Sequence, residues 1–189
     1  MVATQSHPHL TPQEYFEWEA RQAIRYEYFD GEVFAMTGGS IPHAEIALNF
    51  ASFLRDQLRS RCKVRNSDAK VGITDEGPFT YPDISVTCDE RDRTAQQFSR
   101  YPCLIVEVVS PSTEAYDRGG KFALYRRLES LKEYVLVGSE SQFVEVFRRN
   151  AEGTWTFIPY SAGDAVELTS IGLTVPMAVL YEEVVFEET

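Results

Sequence analysis

Cysteine is scarce: Cys62, Cys88 and Cys103 are the three in 189 residues, an odd number at wide spacing that fits neither a disulfide framework nor a CxxC metal clip. All three are expected to be buried, reduced thiols. Long apolar runs are missing too. No stretch approaches the roughly 20 apolar residues of a membrane span, and the N-terminus lacks the basic-then-apolar layout of a signal peptide. A soluble, cytoplasmic protein without membrane contact is therefore expected. Positive charge is in deficit, since 18 Lys and Arg against 29 Asp and Glu leave a net −11, and so acidic a body repels phosphate backbones except where its bases cluster. Several catalytic signatures are absent as well. Thr37-Gly38-Gly39-Ser40 has neither the lysine nor the spacing of a phosphate-binding loop. No GxSxG elbow or HExxH zinc motif occurs, and Ser110 and Ser112 have no evident base nearby. Aromatics are scattered rather than interleaved with a basic run, so no stacking platform for bases is visible.

What is present suits one folding unit, which usually takes about 100 to 200 residues. A chain of this size buries roughly 70% of its extended surface, and its 43% hydrophobic content can supply that core. No repeat, low-complexity tract or linker divides the sequence, so residues 10–189 read as a single domain behind a short flexible start, residues 1–9. Thr11, Pro12 and Glu14 carry the cap, first-turn proline and capping-box acid of a helix. Asp30-Gly31 between Tyr26-Glu27-Tyr28-Phe29 and Glu32-Val33-Phe34-Ala35-Met36 predicts a two-residue hairpin. Ser40 caps a second helix whose apolar face is Ile46, Phe50, Phe53, Leu54 and Leu58. His43 lies about 60° from Ile46 on that helix and Glu45 about 100° away on the other side, so both can reach the edge of a sheet beneath.

A basic stretch follows (Arg55, Arg59, Arg61, Lys63, Arg65), then strands over 69–74, 83–88 and 103–109, a helix from about Asp117 to Leu131, and short strands over 134–137, 143–147 and 154–159. The order predicts mixed α and β around a central sheet. The C-terminal residues from Glu182 read as an exposed tail or an edge element.

Four residues stand out. Glu107 interrupts the otherwise apolar Cys103-Leu104-Ile105-Val106-Glu107-Val108-Val109, a central-strand pattern. A carboxylate there costs several kcal/mol to bury unpaired and needs a metal, a cation or an opening to solvent. Asp83, after Pro82 at the start of the preceding strand, brings a second carboxylate toward a common point. Paired acids with oxygen ligation suit Mg²⁺ or Mn²⁺. Lys121 and Asp117 fall at about −40° and −80° from Tyr125, inside the apolar sector of their helix. The plainer readings are an arginine partner for Glu107, a capping role for Asp83 and a solvated i,i+4 pair for Asp117 and Lys121 worth ~0.2 to 0.5 kcal/mol.

Taken together, Pro82-Asp83, then Glu107-Val108-Val109 with Ser110-Pro111-Ser112-Thr113, then Asp117, Lys121 and Tyr125 at four-residue steps resemble the PD-(D/E)XK nuclease superfamily, and within it the Uma2 family. The likeness runs from about Tyr26 to Val137 and includes the hairpin, the His43 helix and Glu133-Tyr134. It implies an α/β (α+β) restriction endonuclease-like fold, with a central mixed β-sheet flanked by helices and preceded by an N-terminal helix and hairpin. A strict (D/E)-x-K would place lysine at Val109, so the resemblance implies that the lysine has moved to Lys121. Gly138 and the absence of Gly-Val before Glu133 are smaller departures.

The resemblance further implies a metal-dependent endonuclease acting on nucleic acid, DNA more than RNA, and a homodimer. Asp83, Glu107 and the carbonyl of Val108 would hold Mg²⁺ or Mn²⁺, Lys121 would act on the attacking water or the developing charge, and His43, Glu45 and Asp117 would support them. A binding or accessory module retaining the fold, and a phosphodiesterase acting on a small nucleotide, are the competing readings.

Overall fold

The computed structural model describes residues 9–36 and 38–186. Residues 1–8 of the expected flexible start, Thr37, and 187–189 of the C-terminal tail lie outside the described residues. Helix α1 (Pro12–Glu19) opens on the predicted capping box, with reciprocal Thr11 and Glu14 bonds. Strands β1 (Tyr26–Phe29) and β2 (Glu32–Ala35) form the predicted hairpin. Both turn residues take positive φ, 46° at Asp30 and 97° at Gly31, as a two-residue hairpin turn requires. Leu10 donates its N–H to Gly31 at 2.9 Å and ties the chain entry to this turn. Helix α2 (Ile41–Gln57) starts from the Ser40 cap and buries Ile46, Phe50 and Leu54.

Strands β3 (Lys63–Asn66), β4 (Lys70–Gly72), β5 (Phe79–Thr80), β6 (Ile84–Thr87), β7 (Phe98–Ser99) and β8 (Leu104–Val109) follow. Beyond them come two short helices, α3 (Glu114–Tyr116) and α4 (Phe122–Tyr125), and strands β9 (Glu133–Gly138), β10 (Phe143–Arg149) and β11 (Trp155–Ser161). A hairpin of β12 (Ala165–Leu168) and β13 (Leu173–Pro176) and helix α5 (Met177–Leu180) complete the described chain. The main sheet has the order β11-β10-β9-β8-β6-β3, and a second sheet is ordered β2-β1-β5-β4-β7. The expected mixed sheet is present: β8 runs parallel to β9 and antiparallel to β6.

Strand alternation assigns the two faces of β8. Leu104, Val106 and Val108 pack with α2, α5 and the β12–β13 hairpin, whereas Ile105 and Val109 pack with Tyr125, Leu128 and Leu131 beyond β8. A third cluster joins α1 to the hairpin through Tyr15, Tyr28 and Phe79. Val184 and Phe186 of the C-terminal segment pack against the first cluster instead of standing free.

Three expectations need correcting. Part of the basic stretch is β3, an edge strand whose Lys63 and Arg65 alternate with Val64. The helix expected over 117–131 begins at Glu114 and ends at Tyr125. It is interrupted by a π-helical turn, Asp117–Lys121, closed by the Phe122 N–H on Asp117 O. After Tyr125 the bonds shorten to Arg127 N–H on Leu124 O and Leu128 N–H on Tyr125 O, the tightening common at helix ends. Leu128 and Leu131 stay buried outside the helix.

The third correction concerns the cysteines. Cys62 and Cys88 form a disulfide, because Lys63 pairs with Thr87 and the same register sets the two cysteines opposite one another one residue further on. Cys103 remains free, with its sulfur 3.7 Å from that of Cys88.

Candidate functional site

Antiparallel register builds the first half of the site. Ile84 pairs with Val106, so one residue further Asp83 stands opposite Glu107, and directly opposed residues send their side chains to the same face. At this point β6 has ended. The Val108 N–H, which a longer β6 would bond through its main chain, donates instead to Asp83 Oδ2 at 2.7 Å. His43, in the first turn of α2, brings Nε2 to 3.2 Å from the same oxygen.

The second half comes from the helical crossover between β8 and β9. Glu107 and Val109 share the face of β8 that this crossover covers, so a lysine from the crossover reaches the place a lysine at 109 would have supplied. Lys121 Nζ lies 3.1 Å from Glu107 Oε1, 3.4 Å from Asp117 Oδ1 and 3.9 Å from Glu27 Oε1. Tyr125 donates its hydroxyl to Glu107 Oε1 at 3.0 Å, a polar role beyond the packing expected for it. Tyr134 holds the π turn by donating to Asp117 O at 3.0 Å.

Glu27 is the residue that sequence reasoning found no role for. The segment Tyr81-Pro82-Asp83 passes directly from β5 to β6, and Tyr81 donates its N–H to Glu27 Oε1 at 3.1 Å, so the hairpin strand β1 is drawn to the same cleft. A charged residue in the aromatic run Tyr26-Glu27-Tyr28-Phe29 was the available signal. Glu45 is not brought in: it is half-buried on α2 and does not line the cleft. Glu133 is structural, fully buried and bonded by Arg148 and by Thr169 and Ser170 of the loop between β12 and β13.

The cleft has a volume of about 720 Å³ and is lined by His43, Asp83, Glu107, Val108, Asp117, Lys121 and Glu27 among others. Glu107 is 2% exposed, Asp117 4% and Glu27 8%, so solvent relieves their mutual repulsion poorly. Burial, followed by the neighbouring acids and against the pull of Lys121, raises the Glu107 carboxyl to about 8. Burial raises Glu27 and Asp117 in the same direction. Lys121 is held above the ordinary lysine range: burial works against its charge, and the surrounding carboxylates, Glu107 foremost, outweigh it. The hydrogen bond to Asp83 raises His43 against the opposing effect of burial.

These shifts share one sign. The folded state keeps protons on Glu107, Glu27, Asp117 and His43 that the unfolded chain has released, so stability falls as pH rises from the ordinary carboxylate value, 4.5 for Glu107, toward 8. Metal-free protein is therefore expected to melt at a lower temperature at pH 8 than at pH 5.5. Glu107→Gln should flatten that dependence; a variant with the wild-type slope would contradict the assignment.

Five carboxylates, Glu27, Asp83, Glu107, Asp117 and Glu140, against one lysine and one histidine leave the cleft short of positive charge, and its donors are oxygens. Contacts to Glu107 are made on Oε1 and those to Asp83 on Oδ2, and each carboxylate has a second oxygen to offer. Among the described residues no three His, Cys, Asp or Glu side chains form a closed metal cage. One or two carboxylates, with water completing the shell, is the lean ligand set that Mg²⁺ takes. The residues present therefore fit a hard divalent cation.

A solved structure from Anabaena variabilis, described as a "putative nuclease belonging to DUF820", shares this fold with a TM-score of 0.73 at 16% identity, over 93% of this chain and 99% of that one. The uncharacterized Synechocystis sp. protein slr1290 is 47% identical over 180 residues, 95% of each chain. A second Synechocystis protein, sll1609, is 29% identical over 149 residues, 77% of this chain and 84% of its own. The profile of the Uma2 family, described as "Putative restriction endonuclease", matches residues 12–178. With its fold shared and the family profile spanning nearly all of its elements, the chain belongs to the Uma2 family.

Proposed function

We propose that the cleft hydrolyses phosphodiester bonds of nucleic acid, DNA in preference to RNA, with the help of a divalent cation. The observation that carries this is the convergence of Asp83 and Glu107 from adjacent strands with Lys121 at 3.1 Å from Glu107. Asp83, Glu107 and the main-chain carbonyl of Val108 are the groups that would hold Mg²⁺ or Mn²⁺. When bound, the ion would polarise the phosphate and lower the pKa of a coordinated water.

The chain's own groups do the rest. Lys121 stays protonated across the working pH range and offers N–H donors where charge develops on the phosphate oxygens. Tyr125 and Lys121 fix the orientation of the Glu107 carboxylate, and His43 with the Val108 N–H fix that of Asp83. Asp117 and Glu27 hold Lys121 in place from two further sides.

Incubation of supercoiled plasmid with the purified protein and Mn²⁺ tests the proposal. Nicked product should appear with Mn²⁺ or Mg²⁺, vanish with EDTA and be lost in Asp83→Ala. Equal nicking by wild type and Asp83→Ala would mark it as contamination and remove the claim.

A further inference from the structure

At the mouth of the cleft two large rings remain open to solvent: Phe34 is 44% exposed and Tyr116 46%. Both line the cleft, together with Phe29 and Met36. Neither ring is loosely placed. Phe29 meets Phe34 edge-on at 5.5 Å and 75°, and Tyr116 lies over Gly120, where a Cβ would come within 2.6 Å of the ring. Position 116 is far in sequence from the hairpin that carries 29 and 34, which is why no stacking platform is legible along the chain.

We propose that Phe34 and Tyr116 seat an unpaired nucleobase, so that the substrate is single-stranded or locally unpaired nucleic acid rather than intact duplex. This rests on the phosphodiester-cleaving reading above. Charge decides between the two forms of substrate. A duplex is gripped by a row of cations that tracks its phosphates, yet among the lining residues Lys121 is the one Lys or Arg, against Glu27, Asp83, Glu107, Asp117 and Glu140. Arg118, on the same helical crossover, is committed to Glu114 and Glu145. A site with one cation must draw affinity from elsewhere, and aromatic faces supply it to unpaired bases of any sequence. The volume of about 720 Å³ lies within the ~300–1,000 Å³ of small-molecule sites, which suits a nucleotide and its neighbour. Seating the base there presents the adjoining phosphate to Lys121 and the carboxylate pair.

Fluorescence anisotropy with labelled oligo(dT) and a blunt-ended duplex of equal length, with Ca²⁺ in place of Mn²⁺, tests the seat. Oligo(dT) is expected to bind at least about ten-fold more tightly than the duplex. Phe34→Ala and Tyr116→Ala are each expected to weaken oligo(dT) binding about ten-fold, leave duplex binding unchanged and melt like wild type, with Phe34→Trp retaining affinity. Equal affinity for the two forms, or alanine variants that bind oligo(dT) like wild type, would overturn the inference. Competition by thymidine monophosphate as strong as by the oligonucleotide would also overturn it, reassigning the seat to free nucleotides. Asp83-dependent plasmid nicking without ring-dependent binding would sink the seat alone. Ring-dependent binding with no Mn²⁺-dependent cleavage of the bound single strand would leave the seat and sink the hydrolytic reading.

Discussion

Glu107→Gln is expected to lower Mn²⁺-dependent cleavage by about 10³-fold, the upper end of what one preorganised electrostatic group contributes. The substitution keeps the shape of the side chain and its bond from Tyr125, but it removes a negative charge from the ion's expected position and from beside Lys121. Burial at 2% exposure makes the loss severe, because no water can stand in for the carboxylate. Tyr125→Phe is the graded comparison. It deletes only the hydroxyl that orients Glu107, and removing such an outer group costs about 10- to 100-fold. Rates measured side by side should fall in the order wild type, Tyr125→Phe, Glu107→Gln; a Glu107→Gln variant as active as Tyr125→Phe would remove Glu107 from the reacting centre.

The second large effect is on stability. Lys121 Nζ is ion-paired to Glu107, Asp117 and Glu27 in a cleft that shields all four groups. Lys121→Met removes the cation and leaves three carboxylates to repel one another, and breaking a buried pair from one side costs about 3–5 kcal/mol. The sign with pH is set by the same carboxylates: at pH 5.5 they hold protons and the penalty is small, and it grows as Glu107, raised to about 8, ionises toward and above that pH. Urea denaturation of metal-free wild type and Lys121→Met at the two pH values measures it. A penalty that grew on acidification would contradict this account of the cleft.

Much of the scaffold was legible because it is written in local chemistry. The Thr11 capping box, the Asp30-Gly31 turn and the Ser40 cap each act within a few residues, and each appears where the sequence placed it. Glu107 was legible for the opposite reason, as a charge in a strand with nothing local to justify it. Lys121 faces inward as its helical phase implied, although the helix carrying it is shorter than expected and contains a π turn at Gly119-Gly120.

What escaped the sequence depends on long-range pairing. Glu27 enters the cleft because β1 pairs with β5 at Tyr28 and Phe79, some fifty residues apart. The Cys62–Cys88 bridge follows from the β3–β6 register, which spacing alone does not reveal. Glu45 failed for a related reason: helical phase gave its side of α2 but not how far along the sheet edge α2 would sit.

The most direct measurement is a calorimetric titration of metal-free protein with Mn²⁺. Wild type is predicted to bind one ion per chain, and Asp83→Ala to lose that binding by at least about 100-fold. A wild type that binds no Mn²⁺, or an Asp83→Ala variant that binds it equally well, would contradict the claim that Asp83 and Glu107 form a metal centre.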